Sequence, residues 1–267
     1  MKKVASLKYG VVFKKAFCDP EIFSAFVRDI IGLPVTVDYV ETEKEFDPPV
    51  GYVKPRFDLF AQDHKHRIVI DIQHTRNADH YDRFFYYHCI ALLEQVVKAG
   101  NYRPPLKVFT LVVLTSGDRH QTDMAVIDCD PHDRAGKPLQ EVPHKVIYLC
   151  PKYVGDQTPE PYREWLRAIR DTLDEEVDET QYQRPEIHKL FEAIRRDHLS
   201  PEERARMIDE NNLNEWQQTN LLAQRMDIAR QLLKEGVSRQ IIAKATGFSA
   251  TELQTIASGA TLPTVLE

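Results

Sequence analysis

An α/β domain built on a mixed sheet, followed by an all-helical extension, is the fold class this sequence predicts. Three stretches carry that reading. Arg56–His74, RFDLFAQDHKHRIVIDIQH, reads as two short strands joined by a tight polar turn. Lys107–Thr115, KVFTLVVLT, is a nearly unbroken β-branched and apolar run, as a central strand covered on both faces requires. From Pro159 onward no strand pattern survives and helical spacing takes over. The sheet domain is therefore expected over residues 1–155 and the helical extension over 156–267.

In chain order, Lys8–Ile31 has Phe13, Phe17, Phe23, Phe26, Ile30 and Ile31 at three- and four-residue offsets, with a fresh helix start at Asp19-Pro20. Lys8, Lys14 and Lys15 lie near this opening and read as a solvated helix face rather than as phosphate contacts. Val35–Glu43 alternates as a first strand through Val35, Val37 and Tyr39, and a loop with Pro48, Pro49 and Pro55 leads into the hairpin. Asp79–Lys98 is a long amphipathic helix stopped by Gly100. Met124–Asp128 and Lys145–Cys150 are further strands. In the extension, Pro161–Leu173 and Pro185–His198 are helices, and Ser200-Pro201-Glu202-Glu203 is a capping-box start. That third helix reaches Glu235, with a break expected at Asn211-Asn212. Ser238–Ala245, the turn Thr246-Gly247-Phe248, and Ser249–Ala257 outline a helix-turn-helix.

Composition excludes several classes. A formal net charge of −6 argues against non-specific coating of nucleic acid, which rests on many phosphate neutralisations. No apolar run is long enough to span a bilayer, and lysines interrupt the N-terminal MKKVASLKYGVVFKKAF, so neither a membrane span nor a secretory signal is expected. Cys18, Cys89, Cys129 and Cys150 form no CxxC pair and suit a reducing cytoplasm. GxGxxG, GxxxxGK[ST] and GxSxG are missing, which disfavours dinucleotide, P-loop and serine-hydrolase chemistry.

The hairpin carries the one constellation with a demanding geometry. A symmetric turn centred on His64-Lys65 places Asp58 opposite Asp71 and Arg56 opposite Gln73, while Asp71 and Gln73 share a face by alternation. Two carboxylates opposed across a ladder repel, at a cost on the order of half a kcal/mol. A divalent cation between them reverses the sign, and Mg²⁺ or Mn²⁺ so held polarises a phosphoryl oxygen and activates a water. Gln73 is suited to orienting that water; its plainer role is a strand-end amide bonded to Arg56. Arg83 and Tyr87, four apart on the long helix, share a face. An Asp79–Arg83 pair with Tyr87 in the core is the alternative to phosphate contact. His74, His80 and His88 lack ligand spacing, and the lone Cys129-Asp-Pro-His132 reads as a loop.

The acid pair, the opening LKYGVVFKKAF, the helix YDRFFYYHCIALLEQVVKAGNY, the apolar strand after it and the tail GVSRQIIAKATGFSATEL together resemble the PD-(D/E)xK nuclease superfamily. Within it the chain is similar to the recombination-promoting nuclease and putative transposase family. The likeness is strongest over residues 8–115. It implies a restriction-endonuclease-like fold, with Asp58 and Asp71 as the signature acids and the backbone carbonyl of Ile72 as a further metal ligand. It puts Gln73 at the lysine position, where glutamine is usual in that group, and Arg83 and Tyr87 on the active-site face. The implied activity is metal-dependent DNA endonuclease cleavage preceding strand exchange, with DNA as partner. Gly10 stands where relatives often carry an acidic metal ligand, which leaves one cation rather than two unless Asp19 or Glu21 substitutes, and Asp71 stands where glutamate is common. Neutral Gln73 and Gly10 also suit a catalytically weakened relative that binds DNA or protein through its helical tail. The sequence leaves a homo-oligomer open.

Overall fold

The computed structural model describes residues 1–47, 53–74, 80–95 and 102–258. Pro48, Pro49, Asp79 and the end of the long helix at Val96–Gly100 lie outside the described residues. The chain runs β1 (Lys2–Lys3), α1 (Gly10–Phe17), α2 (Pro20–Ile31), β2 (Glu41–Glu45), β3 (Arg56–Gln62), β4 (His66–Gln73), α3 (His80–Leu93), β5 (Lys107–Leu114), β6 (Met124–Asp128) and β7 (Lys145–Leu149). It continues α4 (Tyr162–Asp171), β8 (Glu176–Val177), α5 (Pro185–Ala193), α6 (Pro201–Lys234), α7 (Arg239–Thr246) and α8 (Ala250–Ala257). It divides into two compact units, Met1–Arg204 and Ala205–Glu267.

In the first unit, six strands form a mixed sheet in the order β2-β3-β4-β5-β7-β6. β4, β5 and β7 are parallel and central, and β2, β3 and β6 are antiparallel to their neighbours. The apolar run of β5 is buried at every position after Lys107, as its two-sided cover demands. β2, ETEKE, is the polar edge strand, a composition that discourages pairing with another chain. A two-residue ladder between β1 and β8 is too short to leave a pattern in the sequence.

The sequence places a strand at Val35–Glu43, whereas pairing begins at Glu41. Val35, Val37 and Val40 are buried, but Val37 N–H donates to Ser24 Oγ of α2 at 3.2 Å. That stretch is extended by packing rather than by a ladder.

Asp19 caps α2 as expected, its carboxylate accepting from Glu21 and Ile22 N–H, with Pro20 in the first turn. α1 and α2 bury an aromatic cluster with α4: Phe17–Phe26 centroids are 5.0 Å apart and Phe26–Trp165 5.4 Å. Trp165 Nε1 donates to Asp29, which Arg184 also holds. α3 packs on β5 and β7 through Phe84, Val112, Leu114, Val146 and Tyr148, and towards β3 through Phe57, Phe60, Val69, Ile90 and Val108.

In the second unit the expected break at Asn211-Asn212 is absent and α6 runs through it. Asn211 Nδ2 donates to Glu215, one turn on, which keeps that amide from competing with the helix. The start is the expected capping box: Ser200 N–H donates to Glu203, and Glu203 N–H to Ser200 Oγ. α7, a left-handed Gly247 (φ +74°) and α8 pack on α6 through Met226, Ala229, Ile242, Phe248, Leu253 and Ile256. Ser249 and Glu252 supply the second capping box. Among the described residues no helix is long and apolar enough to cross a membrane.

His88 of α3 is fully buried, bonded through Nδ1 to Thr110 Oγ1 at 2.9 Å. Burial, with a smaller push from His144, lowers its pKa from 6.5 to about 3. The unfolded chain therefore takes up this proton first as pH falls through 6.5, so the contribution of neutral His88 is complete above that pH and lost below it. In urea unfolding, the wild type should lose about 1–2 kcal/mol more than His88→Asn between about pH 7 and pH 5. Parallel pH profiles would contradict this.

Candidate functional site

The hairpin register is the one a symmetric turn requires: Leu59 faces Ile70, Phe60 faces Val69 and Ala61 faces Ile68. Carried one step outward, it sets Asp58 opposite Asp71. Asp63 holds the turn, its Oδ1 accepting from Lys65 and His66 N–H and its Oδ2 bonded to His66 Nδ1. The antiparallel ladder runs from Gln62 to Leu59, and beyond it Ile72 N–H donates to Asp58 Oδ2 at 3.0 Å. A carboxylate thus replaces a main-chain acceptor at the end of the hairpin. N–H and C=O of one strand residue point to the same side, so the Ile72 carbonyl also faces β3.

Asp71 is buried, and burial with the negative charge of Asp58 raises its pKa well above the usual carboxylate range. Arg83 and Lys14 oppose that rise without cancelling it. Burial also raises Asp58, against the Ile72 N–H bond and the Lys14 charge. Asp58 and Asp71 are therefore a strained pair, held by the fold with incomplete compensation.

Gln73 ends β4, beside Leu114 of β5. Its main-chain carbonyl accepts from Thr115 N–H at 3.1 Å, and its side-chain Oε1 is buried without a hydrogen-bond partner. Arg56 does not bond it; Arg56 Nε pairs with Glu43 at 2.6 Å. Arg83 Nε lies 3.4 Å from Tyr87 Oη, and its guanidinium stacks over Phe84 and Tyr87 at 5.1 and 5.3 Å. Tyr87 also packs edge-on to Phe57 at 5.7 Å, so it belongs both to the core and to the arginine's support. The alternative partner of Arg83, Asp79, lies outside the described residues. His74 bonds Thr115 Oγ1 at 2.9 Å through Nδ1, and burial lowers its pKa.

Two groups escaped the sequence reading. Lys14 is not on a solvated face: its ammonium bonds Glu43 and lies 3.4 Å from Asp58 Oδ1. Burial pulls its pKa down, but the two carboxylates outweigh that and raise it. Glu43 stands opposite Asp58, since Thr42 faces Leu59 and Lys44 faces Phe57. Its φ of +56° is left-handed, uncommon for a residue with a Cβ. The available signal was that Val11, Val12, Phe13, Ala16 and Phe17 are all apolar, which leaves a lysine on so short a helix little solvated face to occupy. Asp19 and Glu21 do not join the acid pair; both bind Lys189, at 2.8 and 2.6 Å.

Residues 36–224, more than half of the chain, match the family model described as PD-(D/E)XK nuclease family transposase. The chain is a member of that family. Residues 222–258 match the Rpn/YhgA-like nuclease family C-terminal HTH domain, which covers α7, the glycine turn and α8. No curated protein and no solved structure matches the chain. The mixed sheet flanked by helices agrees with the restriction-endonuclease-like fold of this nuclease transposase family.

Among the described residues no group of three or more His, Cys, Asp or Glu side chains is arranged to hold a metal ion. The groups that would hold an ion here are the two carboxylates and the Ile72 carbonyl. That suits a hard cation that keeps several waters and takes one or two carboxylates from the protein. It does not suit zinc, which favours a closed set of nitrogen and sulfur ligands.

A buried carboxylate set against another is a stability liability. Asp71→Asn should accordingly raise the metal-free unfolding free energy near pH 7.5, by about 1 kcal/mol or more. Urea midpoints decide it, and a loss of stability would show that Arg83 and Lys14 already compensate Asp71 in full.

Proposed function

We propose that the protein is a divalent-metal-dependent endonuclease that hydrolyses DNA phosphodiesters so that strand exchange can follow. The observation that carries this is the opposed pair at the end of the hairpin, buried Asp71 and half-buried Asp58, in a member of a nuclease transposase family. Mg²⁺ or Mn²⁺, held by the two carboxylates and the Ile72 carbonyl, would supply Lewis acidity and an acidified water. The remaining work falls to the chain itself.

Gln73 Oε1 accepts a hydrogen bond from the attacking water and fixes its direction; as a neutral amide it adds no charge. Arg83 presents a fork to the phosphate, aimed in advance by its stack on Phe84 and Tyr87. The water oxygen bonds to phosphorus, one P–O ester bond breaks, and the leaving sugar oxygen ends protonated, so water is added across the bond. In this reading residues 1–155 are the nuclease core and 156–267 the extension through which the helix-turn-helix engages DNA. The reaction is that of a cytoplasmic enzyme of mobile-element type.

A second reading, a weakened relative that only binds, is favoured by Gln73, because a neutral group replaces a cation beside the developing phosphorane. Supercoiled plasmid with Mg²⁺ or Mn²⁺ separates the two. The wild type should nick, Asp71→Ala should lose at least about 100-fold in rate, and Arg83→Ala should lose about 10- to 100-fold. Nicking that persists in Asp71→Ala would mark a contaminant and remove the catalytic claim. DNA retained on the wild type without nicking, and released on deleting residues 221–267, would establish the second reading.

A further inference from the structure

Lys14 lies on α1, before the segment 36–224 that matches the family, yet its ammonium bonds Glu43 and lies 3.4 Å from one of the two hairpin acids. We infer that Lys14 is the fixed positive charge of the hydrolytic site, delivered by a helix instead of by the strand position that Gln73 occupies, and that Glu43 is the residue that positions it. The inference rests on the nuclease reading above and deepens it.

Three observations converge. By register, Glu43, Asp58 and Asp71 fall at successive opposed positions on β2, β3 and β4, so three acids lie along one line across the sheet without converging as a three-ligand set. Such a row repels itself unless cations enter it. Arg56 meets the outer end of the row at Glu43, Arg83 acts on its inner end at Asp71, and Lys14 bridges the middle.

The second observation is chemical. Gln73 brings to the end of β4 a buried oxygen without a partner, so that strand offers an acceptor and no charge. A phosphate gaining negative charge beside two carboxylates needs compensation, and an ammonium on a flexible stem adapts to it as a point charge. α1 packs directly on β3 and β4, which puts the stem within reach of both acids.

The third is the backbone of Glu43. A left-handed φ of +56° in the middle of a strand is costly for a residue with a Cβ, and it persists where surrounding contacts hold it. Here the Glu43 carboxylate is gripped by Lys14 on one side and Arg56 on the other. Asp58 cannot be neutralised fully by two cations at once, so Lys14 opposes a divalent ion for that carboxylate while Glu43 keeps the ammonium close by.

The test uses the full-length chain as wild type, Lys14→Met, Glu43→Gln and the double variant Lys14→Met/Gln73→Lys. Mn²⁺ binding is followed by calorimetry without DNA, nicking by plasmid assay and folding by thermal melting. Lys14→Met should bind Mn²⁺ about tenfold more tightly, because a competing charge is gone, while nicking falls at least about 100-fold. Gln73→Lys in that background should restore most of the lost rate. Glu43→Gln should lower kcat about tenfold with KM unchanged, which a purely structural pair would not do; this variant decides the matter should Lys14→Met melt early.

Nicking and Mn²⁺ affinity both unchanged in Lys14→Met would overturn the inference, as would a double variant that stays as slow as the single one. If the wild type never nicks, the endonuclease reading fails by itself. The calorimetric comparison then still decides whether Lys14 opposes metal at Asp58, and equal affinities would reject it.

Discussion

Everything at this site follows from two carboxylates, one buried and one half-buried, on neighbouring strands at the point where their ladder gives way. Asp58 has taken over the Ile72 N–H that a main-chain acceptor would otherwise hold, so the strands stay joined by a side chain instead of by backbone alone. The arrangement keeps a polar group satisfied while leaving the second carboxylate, Asp71, buried and under-compensated. Such a pair is costly in a folded protein without a ligand, and the cost marks the place where binding can be strong. Arg83 from α3 and Lys14 from α1 reduce that cost without removing it, which keeps the acids attractive to a cation.

The flanking helices therefore do more than cover the sheet. α3 packs through Phe84 and Tyr87, and those same rings orient Arg83. α1 buries Phe13 and Phe17 and, from the same short helix, sends Lys14 to Glu43 and Asp58. Core packing and charge placement are thus set by the same elements, and loosening α1 would move a site charge as well as core rings. The polar edge strand β2 takes part as well, since Glu43 retains the ammonium there.

Much of this was legible in the sequence because it depends on local rules. A two-strand pattern about His64-Lys65 fixes one register, and one register fixes which residues oppose each other. Asp19-Pro20 and Ser249 with Glu252 announce helix starts through caps that need only a few neighbouring residues. The pairing of Lys14 with Glu43 was not legible, because it joins a helix to an edge strand far along the chain. ETEKE also carries no hydrophobic alternation to reveal which of its acids turns inward, and the left-handed backbone at Glu43 has no glycine to advertise it. Val35 to Val40 misled in the opposite direction: alternating apolar residues look like a strand, but Val37 N–H is taken by Ser24 of α2 rather than by a partner strand.

The helix-turn-helix unit sets a further constraint on how such a protein meets DNA. Between Ala205 and Ser258 lysine and arginine are balanced by aspartate and glutamate. Arg225 is committed internally, bonded to the Thr246 carbonyl and stacked on Phe248 at 4.8 Å. α8 exposes Thr251 and Gln254 and carries no basic residue. Recognition by this unit would thus draw on hydrogen bonds and shape more than on counterion release, and its salt dependence would be shallow. On the reading proposed above, phosphate contact would then fall chiefly to the nuclease unit, through Arg83. That division of labour would tie firm engagement of the backbone to the place where it is cut.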